Sequence, residues 1–127
     1  MELALIDDDS LYQSVFKEFF DNLDIQVHQF SRGKDFINSP ADELGGIKCV
    51  VIDHTILDTT IPELTKAIQR KIGAEVCIIS TFGEASKEEK IKDLGISGDF
   101  KKLDLKSVLS WYVYFRGGAE KKLHFSS

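Results

Sequence analysis

The chain has only two cysteines in 127 residues, Cys49 and Cys77, and both sit inside apolar runs. That usage fits buried, reduced thiols rather than a disulfide-stapled framework. No apolar stretch approaches a membrane span, and Met1-Glu2 lacks the basic region of a secretory signal. There is no basic patch either: 16 Lys and Arg stand against 21 Asp and Glu, a net charge of −5, which argues against a nucleic-acid footprint. No Gly-x-x-x-x-Gly-Lys stretch occurs, so a P-loop is excluded. His28, His54 and His124 are scattered without ligand spacing and read as surface or loop residues, although His54 abuts Asp53 and could affect access to it. Repeats and low-complexity segments are absent. What is left is one domain, expected to be cytoplasmic, with 43% hydrophobic and 29% charged residues, large enough to bury its own core.

Present instead are short, continuously apolar runs that end in polar motifs. Leu3-Ala4-Leu5-Ile6 runs into Asp7-Asp8-Asp9, Cys49-Val50-Val51-Ile52 into Asp53, and Val76-Cys77-Ile78-Ile79 into Ser80. Such runs are how strands buried on both faces of a parallel sheet read. Helical spacing follows each of them. Leu11, Val15, Phe16, Phe19, Phe20 and Leu23 mark a first helix, capped by Asp9 or Ser10. A short helix over 31–38 follows the alternating edge strand Ile25-Gln26-Val27-His28. Ile61, Leu64, Ile68 and Ile72 mark a third, with Thr60 as cap and Pro62 in its first turn. A charged helix is expected over 85–94, ended by Gly95, and a short strand over 96–101. Asp104 caps a last helix built on Leu105, Val108, Leu109, Tyr112 and Phe115, which Gly117-Gly118 stops. Strand–helix alternation repeated five times predicts an α/β, doubly wound, three-layer sandwich.

Ligands bind such sheets beyond the carboxyl ends of the strands, so the three motifs should open onto one crevice. Several carboxylates with a hydroxyl make a hard-cation site where phosphoryl chemistry can occur. A haloacid-dehalogenase-type aspartate would want a second acid two residues later, where Thr55 stands. A flavin loop would want Ser, Thr or Gly after the first strand, where three carboxylates stand.

In this order and spacing the chain resembles the receiver (CheY-like) domain of the two-component response-regulator family, over residues 1–116, with 117–127 as a polar tail or linker. The acidic pair falls on Asp7 and Asp8, the phosphoacceptor on Asp53, the hydroxyl on Ser80 and the lysine on Lys102. The resemblance implies a flavodoxin-like, five-stranded parallel sheet of order 2-1-3-4-5. It implies Mg²⁺ held by Asp7, Asp8, Asp53 and the carbonyl of Thr55, with Asp7 acting mainly through water. Asp53 would be the nucleophile that forms an acyl phosphate, while Lys102 and Ser80 would steady its oxygens.

Three departures stand out. Leu57 and Ile61 replace the proline and glycine usual in the acceptor loop. Leu103 replaces the proline usual after the lysine, so a trans bond is expected there. Asp99 takes the place of the usual switching aromatic. A carboxylate is not expected to bury itself beside a new phosphate, so the signal would pass through loop reordering, through Phe100 or Phe82, or through outward repulsion of Asp99. The fourth and last helices, with Trp111 and Tyr114 exposed, are expected to form a protein contact. The implied role is a phosphoacceptor, not an enzyme in its own right beyond its own phosphorylation and dephosphorylation. It would be served by a histidine kinase or phosphotransfer protein and would act on a downstream protein or as a homodimer, with no nucleic acid and no membrane. The alternative is a non-phosphorylated pseudo-receiver acting as an interaction or dimerisation module.

Overall fold

The apolar runs form the centre of a parallel sheet. The computed structural model describes residues 1–116 and 124–126. β1 (Glu2–Ile6), β3 (Cys49–Asp53) and β4 (Glu75–Ser80) are buried almost throughout. With β2 (Gln26–Phe30) and β5 (Gly98–Lys101) they give the expected order, β2-β1-β3-β4-β5. A sixth strand, β6 (Phe125–Ser126), extends that order by pairing parallel with β5. Residues 117–123, the rest of the expected tail up to Leu123, lie outside the described residues.

Side-chain alternation splits each central strand between two cores. Leu3, Leu5, Cys49, Val51, Cys77 and Ile79 face α1 (Ser10–Asp21) and α4 (Leu105–Phe115). Ala4, Ile6, Val50, Ile52, Val76 and Ile78 face α2 (Gly33–Asn38) and α3 (Ile61–Lys71). Both cysteines are buried and reduced. The caps are those the sequence marks: Asp9, Thr60 and Asp104 each accept from backbone N–H groups of the helix they start.

The structure corrects the sequence reading in three places. On α1 the buried stripe is Tyr12, Phe16 and Phe20, whereas Leu11, Val15 and Leu23 are exposed. Three aromatics at i, i+4 and i+8 offer more area than the aliphatic stripe beside them, at roughly 150–250 Å² each, and they set the rotation of the helix. The expected helix over 85–94 is a single 3₁₀ turn, Ala85–Lys87, followed by irregular turns. Glu88 is extended (ψ 142°) and Asp93 lies in the left-handed region (φ 70°), so the chain is broken twice. From that segment the small Ala85 and the larger Ile91 and Leu94 pack inward, too little apolar area to offset the cost of helix nucleation. Finally, Trp111 is wholly buried rather than exposed: its ring lies 6.4 Å from that of Phe100, and its indole N–H donates to Ser97 Oγ at 3.0 Å. The apolar stripe of α4 is wide enough to include it.

Candidate functional site

The ends of β1, β3, β4 and β5 converge as the apolar runs predict. Asp7 follows β1, its N–H donating to the Phe30 carbonyl at 3.0 Å. Asp53 closes β3 in register with Ile79. Ser80 closes β4 opposite Lys101, and the Lys102 N–H donates to the Ser80 carbonyl at 2.9 Å. The result gathers Asp7, Asp8 and Asp53, with one carboxylate oxygen from each lying within 4.8 Å of the others. Asp7 and Asp53 are buried and Asp8 is exposed.

Lys102 faces this acidic group. Its ammonium lies 2.9 Å from Asp7 Oδ2 and 3.6 Å from Asp53 Oδ1. Burial works to lower the pKa of Lys102, but the contact with Asp7 and the charges of Asp53, Asp7 and Asp9 together raise it. Asp7 is pushed up chiefly by burial and also by Asp53, against the Asp9 N–H (2.9 Å from Oδ1) and Lys102. Apart from the Lys102 ammonium, the buried Asp7 Oδ2 has no hydrogen-bond partner among the described residues. The attraction there is an ion pair. A buried oxygen with spare acceptor capacity, beside two more carboxylates, fits a hard divalent cation.

The remaining predicted residues fall around this centre. Thr55 donates its hydroxyl to Asp53 Oδ2 at 2.9 Å. Ser80 Oγ accepts from the Gly83 N–H at 2.9 Å, which leaves its own proton for another acceptor. Gly83 has a positive φ of 73°, and an added Cβ would sit 3.0 Å from the Lys101 side chain, so the turn that brings this N–H back requires glycine. Beside Thr55 and Ser80 opens a cavity of about 440 Å³, bordered also by Thr81 and Phe82. His54 Nε2 lies 2.9 Å from Glu88 Oε1 across it, tying the loop after Asp53 to the turns after β4.

The departures also resolve into geometry. The loop after Asp53, with Leu57 and Ile61 where the resembling family has proline and glycine, is pinned by Asp58, whose two oxygens accept from the Gly33 and Lys34 N–H groups at 2.9 Å each. Burial works to raise the pKa of Asp58, but these bonds outweigh it and hold the carboxyl below its ordinary range. No cis peptide bond occurs among the described residues, so Lys102–Leu103 is trans as expected. Asp99 is buried. It lines a cavity of about 470 Å³ with Glu84, Lys87, Lys101, His124 and Ser126, away from the acidic group. Phe100 is fully buried and Phe82 is 80% exposed.

Sequence reasoning missed Tyr12. Its hydroxyl donates to the Lys102 carbonyl, and its ring lies beneath the Lys102 ammonium, 4.4 Å from centroid to Nζ. Burial, and then Asp7, raise the phenol's pKa, so it remains a donor throughout the physiological range. The signal was the i, i+4, i+8 spacing of Tyr12, Phe16 and Phe20.

No family profile and no curated protein matches the chain. Solved structures do. The N-terminal domain of a response regulator/sensory box/GGDEF protein from Carboxydothermus hydrogenoformans is 14% identical, with a TM-score of 0.75, over 91% of this chain and 93% of that one. The beryllofluoride-activated receiver domain of DrrB is 19% identical, with a TM-score of 0.70, over 93% and 97%. The response regulator DrrB of Thermotoga maritima is 21% identical, with a TM-score of 0.68, over 89% of this chain and 50% of that one, so the chain spans half of that protein's length. Together with the order of the strands, these likenesses show that the chain has the receiver fold of response regulators.

Proposed function

We propose that the chain is a phosphoacceptor receiver in two-component signalling, taking a phosphoryl group onto Asp53 from a histidine kinase or phosphotransfer protein. The observation that carries this reading is the meeting of Asp7, Asp8 and Asp53 with a single ammonium, that of Lys102. A carboxylate oxygen of Asp53 attacks phosphorus, the bond from phosphorus to the donor's imidazole nitrogen breaks, and the electron pair leaves with the imidazole. Lys102 neutralises one equatorial oxygen as charge develops, and the Ser80 hydroxyl donates to another. Thr55 steadies the acceptor carboxylate before transfer. Asp7, Asp8, Asp53 and the Thr55 carbonyl would hold Mg²⁺. When bound, Mg²⁺ supplies the positive charge that lets these carboxylates and a phosphoryl group share one site.

The partner face also follows from α1. Leu11 (74% exposed) and Val15 (47%) make an exposed apolar stripe on α1, with Leu23 (43%) in the turn beyond its end. An exposed stripe of this kind suits a helical protein donor. It replaces Trp111 as the contact to be tested. A second reading, an interaction module that is never phosphorylated, is favoured by the buried Asp99 and by the missing helix over 85–94.

Acetyl phosphate with Mg²⁺ separates the two readings. The first expects an acid-stable, base-labile phosphoryl adduct that borohydride converts to homoserine at position 53, absent in Asp53→Asn. Failure of the folded wild type to take up phosphate from acetyl phosphate or from any histidine-phosphorylated donor would establish the second.

A further inference from the structure

We infer that Tyr12 is the positioning residue for Lys102, holding the ammonium over the acidic site in place of a proline-fixed turn. The inference rests on the functional reading above only for its consequence, not for its geometry.

Three groups could fix Lys102. The residue after it, Leu103, is 89% exposed and contributes no packing. The strand bond from the Lys102 N–H to the Ser80 carbonyl fixes one side of the backbone. Asp7 and Asp53 draw the ammonium inward, and Tyr12 supplies the contacts that remain. Its hydroxyl takes the Lys102 carbonyl (2.5 Å), and its ring face lies 4.4 Å beneath Nζ. One side chain therefore grips the lysine at both ends, backbone and ammonium.

The grip is built in from the start of α1. Asp9 caps that helix, accepting from the Tyr12 N–H at 3.2 Å, immediately after the acidic pair. The Tyr12–Phe16–Phe20 stripe then packs on the sheet, with Tyr12 only 7% exposed. The helix start that places the acids thus also places the ring under the lysine. A long, flexible ammonium drawn to two buried carboxylates has several ways to reach them. The ring, 4.4 Å from Nζ, narrows those ways to the ones that keep the ammonium over its face.

Two variants test this, read first by NMR without any phosphate. In the wild type the Lys102 Hε protons, assigned by their loss in Lys102→Arg, should be shifted upfield by the ring. Tyr12→Phe keeps the ring and the fold, so it should retain that shift while losing the carbonyl bond. Tyr12→Leu should abolish the shift. In the second arm, acetyl phosphate uptake should slow about 2- to 10-fold in Tyr12→Phe, as expected for one hydrogen bond. It should slow about 5- to 50-fold in Tyr12→Leu, where the cation–π contact goes as well. Mg²⁺ affinity should change less than about 2-fold in either variant, since no ligand is touched. An unshifted Lys102 Hε in the wild type overturns the inference, as does wild-type uptake in both variants. Tyr12→Phe alone suffices if Tyr12→Leu does not fold. If the wild type takes up no phosphate, the functional reading falls, and the ring-current arm still decides whether Tyr12 holds Lys102.

Discussion

The two halves of the sheet are built to different standards. Around β1 and β3 the side chains are tied down locally: Asp7 by the Asp9 N–H, Asp53 by Thr55, and the loop after β3 by the bonds of Asp58 to the first N–H groups of α2. Around β4 and β5 the chain goes its own way. A 3₁₀ turn stands where a helix was expected, the buried Asp99 stands where the resembling family usually has a switching aromatic, and a sixth strand covers the β5 edge. Ser80 and Lys102 belong to the first half by function, although they hang from the second. On the proposed reading, taking up a phosphoryl group and reporting it are separable in this fold, and the divergence falls in the reporting half.

The largest expected effect lies in the divergent half. Trp111→Ala removes a fully buried ring and its bond to Ser97, and should cost about 3–5 kcal/mol in urea unfolding. Tyr114→Ala should cost far less, since Tyr114 is 38% exposed and packs mainly on Phe115 and Phe125. Equal losses would mean that the α4 face is organised differently.

In the acceptor half, Lys102→Ala should slow phosphate uptake from acetyl phosphate about 10²- to 10³-fold, the usual cost of losing one preorganised donor to developing charge. Unchanged uptake would show that the lysine plays no part.

Asp7→Asn should weaken Mg²⁺ about 10- to 100-fold by titration, as for the loss of an outer-shell partner. It should also raise the melting temperature of the metal-free protein at pH 7. The sign follows from the raised pKa of Asp7: the folded state holds that proton more tightly, so ionised Asp7 is a penalty at neutral pH. The penalty fades as pH falls through the folded pKa, and is gone below the unfolded value of about 3.9. The gain from Asp7→Asn should therefore shrink in acid.

Asp58→Ala should cost about 1 kcal/mol, as for an N-cap. Its depressed pKa has the opposite sign: its stabilisation is present above about pH 3.9 and is lost as pH falls through the folded value. Asp58→Ala and the wild type should thus converge in strong acid.

How much of this was legible in the sequence follows the same division. The acids, Ser80 and Lys102 could be read because each ends a run that only a central strand explains. The caps at Asp9, Thr60 and Asp104 were legible as local chemistry. What failed depended on packing elsewhere. The rotation of α1 was decided by Tyr12, Phe16 and Phe20 against an aliphatic stripe of similar spacing. Trp111 was read as an interface residue because its place above Phe100 and Ser97 exists only once β5 is laid down. The turns after β4 have helical composition, but Glu88 and Asp93 leave helical space. A two-residue strand such as β6 has no pattern of its own; its pairing with Gly98 and Asp99 comes from the sheet edge.

The most direct test of the phosphoacceptor reading is an amide NMR titration with beryllofluoride and Mg²⁺. The account predicts shifts concentrated at Asp53, Thr55, Ser80 and Lys102, a raised melting temperature, and no response in Asp53→Asn. A spectrum left unmoved by saturating beryllofluoride and Mg²⁺, or an Asp53→Asn variant that responds like the wild type, would contradict it.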